Sequence, residues 1–193
     1  YMFHTITFYY ILKFAVQIVS DYPPGYAPQD AATVLTFANV GGFFGSLLFG
    51  FVMARMGIRW PTALMLLIGS VAVASFGMGR ETLSAWQWAT VITGFFTNAA
   101  ISGYYAAFAR GFPAYARATG TGFVLGIGRL GAAGSPLIAG ALFTWLGNDQ
   151  LLVVSIIMAM GSIASLVLFL MLPERDGDEV VGLAPESSDK SVG

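Results

Sequence analysis

Leu151-Leu152-Val153-Val154-Ser155-Ile156-Ile157-Met158-Ala159-Met160-Gly161-Ser162-Ile163-Ala164-Ser165-Leu166-Val167-Leu168-Phe169-Leu170-Met171-Leu172 runs for 22 residues without a charged side chain. At 1.5 Å per residue, roughly 20 apolar residues in a helix cross the ~30 Å hydrocarbon core of a bilayer. A strand of a membrane barrel alternates apolar and polar positions over about 10 residues, and this stretch does not alternate. It reads as a transmembrane helix.

Runs of the same kind recur upstream, and together they predict spans near 2–20, 31–54, 61–79, 85–109, 119–145 and 149–172. Turn-rich polar breaks separate them: Asp21-Tyr22-Pro23-Pro24-Gly25, Arg55-Met56-Gly57-Ile58-Arg59, Gly79-Arg80-Glu81, Arg110 through Arg117, and Gly147-Asn148-Asp149. The fold class expected is therefore an all-α membrane protein of about six transmembrane helices. Composition agrees, with 56% hydrophobic residues, 10% charged residues and a mean hydropathy of +0.74, against roughly 25% charged in a soluble domain. The second and fifth spans are both rich in glycine, as a three-plus-three repeat would leave them.

Other function classes drop out on composition. A net charge of -1 with no Lys/Arg-rich run excludes a field able to hold nucleic acid. With no cysteine there is no disulfide framework or thiolate metal site, and His4, the single histidine, lacks intramembrane carboxylates with which to share a metal. No cofactor is expected, and no nucleophile with a base or carboxylate pair is placed for an enzyme. Tyr1-Met2 opens directly into apolar sequence without a basic region and cleavage site, which does not look like a natural start. From Pro173 the chain turns acidic and small, so residues 173–193 are expected to form a disordered tail behind a transmembrane domain of residues 1–172.

Arg55, Arg59, Arg110 and Arg117 fall in the second and fourth loops, whereas Asp21, Asp30, Arg80, Glu81 and Asp149 fall in the others. By the positive-inside rule the arginine-rich loops face the cytoplasm, and both ends of the segment with them. The bilayer concerned is the inner, or plasma, membrane.

Candidate site residues follow from what a bilayer penalises. Arg129 lies ten residues into the fifth predicted span, where a charge costs roughly 2.5–3.5 kcal/mol on insertion scales and calls for a partner or a wet cavity. Lys13 shares a predicted face with Tyr9, Tyr10 and Gln17, a stripe suited to an anion that carries a ring. A snorkelling lysine is the equally weighted alternative. Thr90, Gly94, Asn98, Ser102 and Tyr105 form one polar face of the fourth span, bordering either a cavity or a neighbouring helix. Gly41/Gly45, Gly42/Ser46 and Ser46/Gly50 are small pairs four apart, which suits close helix packing. The literal G-x-G-x-x-G at Gly126, Gly128 and Gly131 lacks a preceding strand and a following acid, so it marks no dinucleotide site. None of the ten acidic residues lies well inside a span, so a proton-carrying acid is expected elsewhere.

Phe112-Pro113-Ala114-Tyr115-Ala116-Arg117-Ala118-Thr119-Gly120-Thr121-Gly122, continuing through Gly126-Ile127-Gly128-Arg129 to Pro136 and Gly140, resembles the loop and eleventh helix of major facilitator transporters. Thr7-Phe8-Tyr9-Tyr10-Ile11-Leu12-Lys13 and Ala38-Asn39-Val40-Gly41-Gly42 resemble their aromatic acid:proton symporter branch. The resemblance implies helices seven to twelve, the C-terminal half of a carrier built from a three-plus-three inverted repeat. It also implies uptake of an aromatic carboxylate with protons, by alternating access, through a site shared with a missing N-terminal six-helix half. On it Lys13, Arg129, Tyr9, Tyr10 and Asn98 serve the substrate, while Arg117 and Arg55 serve the conformational change. Where the family's loop after the second span resembles G-x-x-x-D-R-x-G, this chain reads Gly50-Phe51-Val52-Met53-Ala54-Arg55-Met56-Gly57, and Ala54 replaces the acid. A related branch carrying sugar acids or dicarboxylates, and a six-helix membrane subunit that transports nothing, remain the alternatives.

Overall fold

The computed structural model describes residues 1–172, the side chain of Asn148 excepted, and the tail expected at 173–193 lies outside the described residues. Among the described residues the elements are six α-helices: α1 (Met2–Asp21), α2 (Pro28–Met56), α3 (Arg59–Phe76), α4 (Leu83–Gly111), α5 (Arg117–Leu146) and α6 (Leu151–Met171). A single 3-10 turn, Asn148–Gln150, precedes α6. Five of the six are long and apolar enough to cross a membrane, and α4, although 29 residues long, is not among them. Gln87, Asn98, Ser102 and three threonines dilute its apolar run, which a bundle tolerates because α4 packs against both α2 and α3.

Helix ends follow local chemistry. Thr82 caps α4, its hydroxyl accepting from the Ala85 N–H at 3.3 Å. Pro28 opens α2 in the first turn, where its missing N–H costs nothing. Gly57 and Gly147 end α2 and α5 with φ of 77° and 85°, a conformation that favours glycine. The third helix stops at Phe76 rather than at the expected residue 79, because Gly77 to Gly79 leave the helix and Gly79 takes a φ of 70°.

The packing carries the repeat. α2 lies most extensively on α4, α1 on α5 and α3 on α6, followed by α3 on α4 and α1 on α6. Exchanging α1 with α4, α2 with α5 and α3 with α6 maps this set of pairs onto itself, as a three-plus-three inverted repeat requires. α2 and α4 run in the same direction, with Gln87 bonding Thr33 and Ser46 bonding Asn98 further along. α1 and α5 also run together, from Thr5 beside Gly128 to Phe14 beside Phe143.

Glycine and hydroxyl groups hold these pairs together, since lipid supplies no hydrophobic force between helices. A Cβ on Gly41 would strike the Val91 carbonyl, on Gly45 the Phe95 carbonyl, and on Gly94 the Ala38 carbonyl, so the α2–α4 backbones touch. α6 is tied both by Gly161, where a Cβ would stand 2.6 Å from the Phe3 carbonyl, and by polar contacts: Tyr10 to Ser155 at 2.8 Å, Thr7 donating to the Met158 carbonyl at 2.6 Å, and Tyr104 to Ser165 at 2.6 Å. His4 joins three helices. Its Nε2–H donates to the Thr97 carbonyl at 3.1 Å, which leaves Nδ1 to accept from the Ser162 hydroxyl at 2.8 Å. This fully buried histidine is an interhelical tie, a use that composition could not reveal.

Arg59, at the start of α3, donates to the carbonyls of Leu170 at 2.6 Å and Leu172 at 3.2 Å, closing the end of α6. The ends of α2 and α4 and the starts of α3 and α5 thus gather Arg55, Arg59, Arg110 and Arg117 at one end of the bundle. At the opposite end the first and third loops meet, the Tyr26 hydroxyl donating to the Glu81 carbonyl at 2.9 Å.

Candidate functional site

A cleft of about 100 Å³ opens between α1, α4 and α5, lined by Tyr1, Thr5, Phe8 and Tyr9, by Ile101 and Tyr105, and by Leu125, Gly128, Arg129 and Ala132. Its wall is aromatic because α1 repeats side chains at Tyr1, Thr5, Phe8 and Tyr9, the spacing that keeps residues on one helical face. The Tyr1 ring meets Phe108 edge-on at 5.4 Å, Tyr104 at 5.6 Å and Tyr105 at 6.2 Å, and its hydroxyl lies 3.4 Å from that of Tyr105.

α5 reaches this wall because its glycines clear the way. A Cβ on Gly128 would enter the Tyr1 ring, and one on Gly131 would stand 2.5 Å from the Met2 carbonyl and the Thr5 hydroxyl. Thr5 donates to the Gly128 carbonyl at 3.0 Å and Ser135 to the Ile6 carbonyl at 2.7 Å, which fixes the register. That register puts Arg129 at the cleft's edge. Among the described residues its guanidinium makes no hydrogen bond or ion pair, so its five donors are open to a guest. A planar cation at an aromatic wall is chemically matched to a carboxylate attached to a ring.

A second, wider concavity of about 540 Å³ lies between α2 and α4, lined by Asn39, Gly42, Phe43, Ser46, Leu47 and Asn98. Asn98, Ile101 and Tyr105 recur at three and four residues along α4, so the two openings border one stripe of that helix.

The structure brings Arg129 and Tyr9 together and places Asn98 in the neighbouring opening. Two expected members do not join them. Tyr10 is fully buried and bonded to Ser155 on α6, because one residue along a helix is a turn of about 100° and carries it from the cleft to the core. Lys13 is exposed but lines neither opening. It stands twelve residues beyond Tyr1, which packs at Gly128, so about 18 Å of helix rise separates it from the level of Arg129. Each four-residue step from Thr5 to Tyr9 to Lys13 also overshoots a full turn by about 40°. Thr90 and Gly94, expected on the same polar face as Asn98, are buried, Gly94 against α2.

Arg55, in the last turn of α2, and Arg117, the first residue of α5, are both exposed and make no ion pair among the described residues. Arg55 sits favourably at the negative end of its helix, whereas Arg117 sits at a positive end. The G-x-G-x-x-G lies in the middle of α5 with no strand before it. Tyr1, Thr5 and Asn39 were not singled out from sequence for this site. The four-residue repeat of Tyr1, Thr5 and Tyr9 was the available sign, masked by the more conspicuous Tyr9-Tyr10 pair.

Comparison with known proteins identifies the family. Residues 2–190 match the family model of the Major Facilitator Superfamily. The chain is 28% identical over 178 residues to the 3-(3-hydroxy-phenyl)propionate transporter of Escherichia coli (strain K12), covering 91% of this chain and 42% of that protein. It is 31% identical over 148 residues to the gallate transporter of Pseudomonas putida, covering 71% of this chain and 33% of that one. It is 30% identical over 134 residues to the benzoate transport protein of Acinetobacter baylyi, covering 66% and 26%. The chain thus spans less than half the length of each of these relatives.

Proposed function

Because the chain belongs to the Major Facilitator Superfamily, we propose that it forms helices seven to twelve of a proton-coupled importer of aromatic carboxylates. One observation carries the reading: an arginine, Arg129, that makes no hydrogen bond or ion pair among the described residues and stands at the edge of an aromatic cleft between α1, α4 and α5. Arg129 holds the carboxylate, Tyr1, Phe8, Tyr9 and Tyr105 contact the ring, and Asn98 borders the same stripe from the second opening. Sugar acids and dicarboxylates would need the cation but not the aromatic wall. The relatives, named for a phenylpropionate, for gallate and for benzoate, support the aromatic class.

The mechanism is alternating access, in which this six-helix unit rocks against a second one that completes the carrier. Arg55 and Arg117, at one end of the bundle, act in that rocking as gate residues. With Ala54 beside it, Arg55 has no acid in its own loop and takes its counter-charge from elsewhere in the carrier. Among the described residues the acids Asp21, Asp30, Glu81 and Asp149 all sit at helix ends or in loops, which supports a coupling acid supplied by the N-terminal half. The arginine-rich end faces the cytoplasm of the plasma membrane. The role is transport, without chemistry on the substrate.

Uptake of labelled hydroxybenzoate by proteoliposomes of the full-length carrier tests this. Arg129→Ala should reduce uptake at least tenfold, and collapse of the proton gradient should abolish accumulation. Unchanged uptake in the variant would remove Arg129 from the site. Accumulation without a gradient would refute symport.

A further inference from the structure

The opening between α2 and α4 is built differently from the arginine cleft. Asn39, Gly42, Phe43, Ser46 and Leu47 recur along one face of α2, with Asn98 opposite on α4, and the opening contains no charged side chain. Asn39 donates one amide N–H to the Leu35 carbonyl at 2.8 Å, and Asn98 donates one to the Gly94 carbonyl at 3.0 Å. Each side chain is thereby pinned against its own helix, and each keeps one N–H and its carbonyl oxygen without a partner among the described residues.

The surrounding polar groups are already used. The Asn98 backbone carbonyl accepts from Ser102 at 3.2 Å and from Ser46 at 3.5 Å. Gly42 makes the arrangement possible, since a Cβ there would collide with the Asn98 carboxamide. Two oriented carboxamides left half-used within a membrane-spanning bundle are costly unless a guest or water satisfies them.

A carboxamide offers both a donor and an acceptor but no charge, so it matches a hydroxyl better than a carboxylate. Asn98 lies three residues from Ile101 of the arginine cleft, about 4.5 Å along α4. Resting on the carrier reading above, we propose that Asn39 and Asn98 form a hydroxyl-recognition subsite, which selects hydroxylated aromatic acids over their unsubstituted counterparts. Arg129 then holds one end of the substrate while the carboxamide pair reads the ring substituent, with Phe43 against the ring.

The test is the ratio of kcat/KM for 3-hydroxybenzoate to that for benzoate, measured with the full-length carrier in proteoliposomes. The wild type should favour the hydroxylated acid. Asn98→Leu and, separately, Asn39→Leu should each lower that ratio about fivefold to tenfold, the worth of one or two hydrogen bonds. Asn39 is exposed on its helix, so its variant keeps the test open if Asn98→Leu folds poorly. A ratio unchanged in both variants would overturn the subsite while leaving Arg129 and the carrier reading in place. A loss of thermal stability with an unchanged ratio would overturn it too, marking the pair as an interhelical contact. Transport of neither acid would overturn both readings together.

Discussion

Gly45→Ala, set against Gly50→Ala, isolates the contact on which the α2–α4 pair depends. Both glycines lie in α2, five residues apart, and both substitutions gain the same helix propensity of up to about 1 kcal/mol. Their surroundings differ. A Cβ on Gly45 would stand 2.8 Å from the carbonyl carbon and the Cα of Phe95, whereas one on Gly50 meets nothing within 4 Å. The obstacle at Gly45 is backbone, which cannot swing aside as a side chain can, so the two helices must move apart. Overpacking of this kind costs roughly 1–3 kcal/mol, and the propensity terms cancel, so that range is the expected difference between the variants. Thermal unfolding of the full-length carrier in detergent should place Gly45→Ala several degrees below Gly50→Ala, with Gly50→Ala at or above wild type. Because Asn98 and Gly42 share that interface, Gly45→Ala should also weaken uptake. Equal melting temperatures for the two variants would show that the α2 and α4 backbones do not touch.

Tyr10→Phe deletes one buried hydroxyl and its bond to Ser155, so it should cost about 0.6 kcal/mol, the average for such bonds in a membrane bundle. Uptake should keep its KM, and a raised KM with unchanged melting would return Tyr10 to the substrate site. Arg59→Ala removes both side-chain donors at the end of α6, so amide exchange near Leu170–Leu172 should speed up severalfold while exchange near Ser155 stays slow. Uniform exchange along α6 in the variant would show that Arg59 does not close that end. Ser162→Ala leaves His4 Nδ1 without its donor in a fully buried site and should lower stability by about 1 kcal/mol, read as a melting shift.

The helices were legible because lipid imposes a length, and six runs near that length leave little freedom in counting. Their ends were less so. Residues 77 to 79 are apolar enough to extend α3, but Gly79 turns the chain where Tyr22 packs against it. The packing of Gly41, Gly42 and Gly45 in α2 could be read from spacing, but Gly50, expected to pack as well, meets open space, and α5 shows the limit of such reading further. Gly128 and Gly131 press on α1, while Gly122, Gly126, Gly134 and Gly140 meet open space, and nothing in their spacing distinguishes the two sets. Only the position of the neighbouring helix decides it.

The site followed the same pattern. Arg129 stood out because a charge inside a span needs a reason, and the structure places it at a cleft. Tyr10 and Lys13 were drawn to the same face by adjacency and four-residue spacing, neither of which accounts for helical drift or axial rise. His4 gave no sign of its role, because the Thr97 carbonyl and the Ser162 hydroxyl that complete it come from helices distant in the chain.

The central claim is that Arg129 recognises a carboxylate, and paired binding of 3-hydroxybenzoate and 3-hydroxybenzamide measures that most directly. The two ligands differ only at the group that Arg129 should hold, an anionic acceptor in the acid and an uncharged carboxamide of similar shape in the amide. Wild-type carrier should bind the acid at least tenfold more tightly than the amide, and Arg129→Gln should erase most of that difference by weakening the acid alone. A preference for the acid that survives intact in Arg129→Gln would contradict the account.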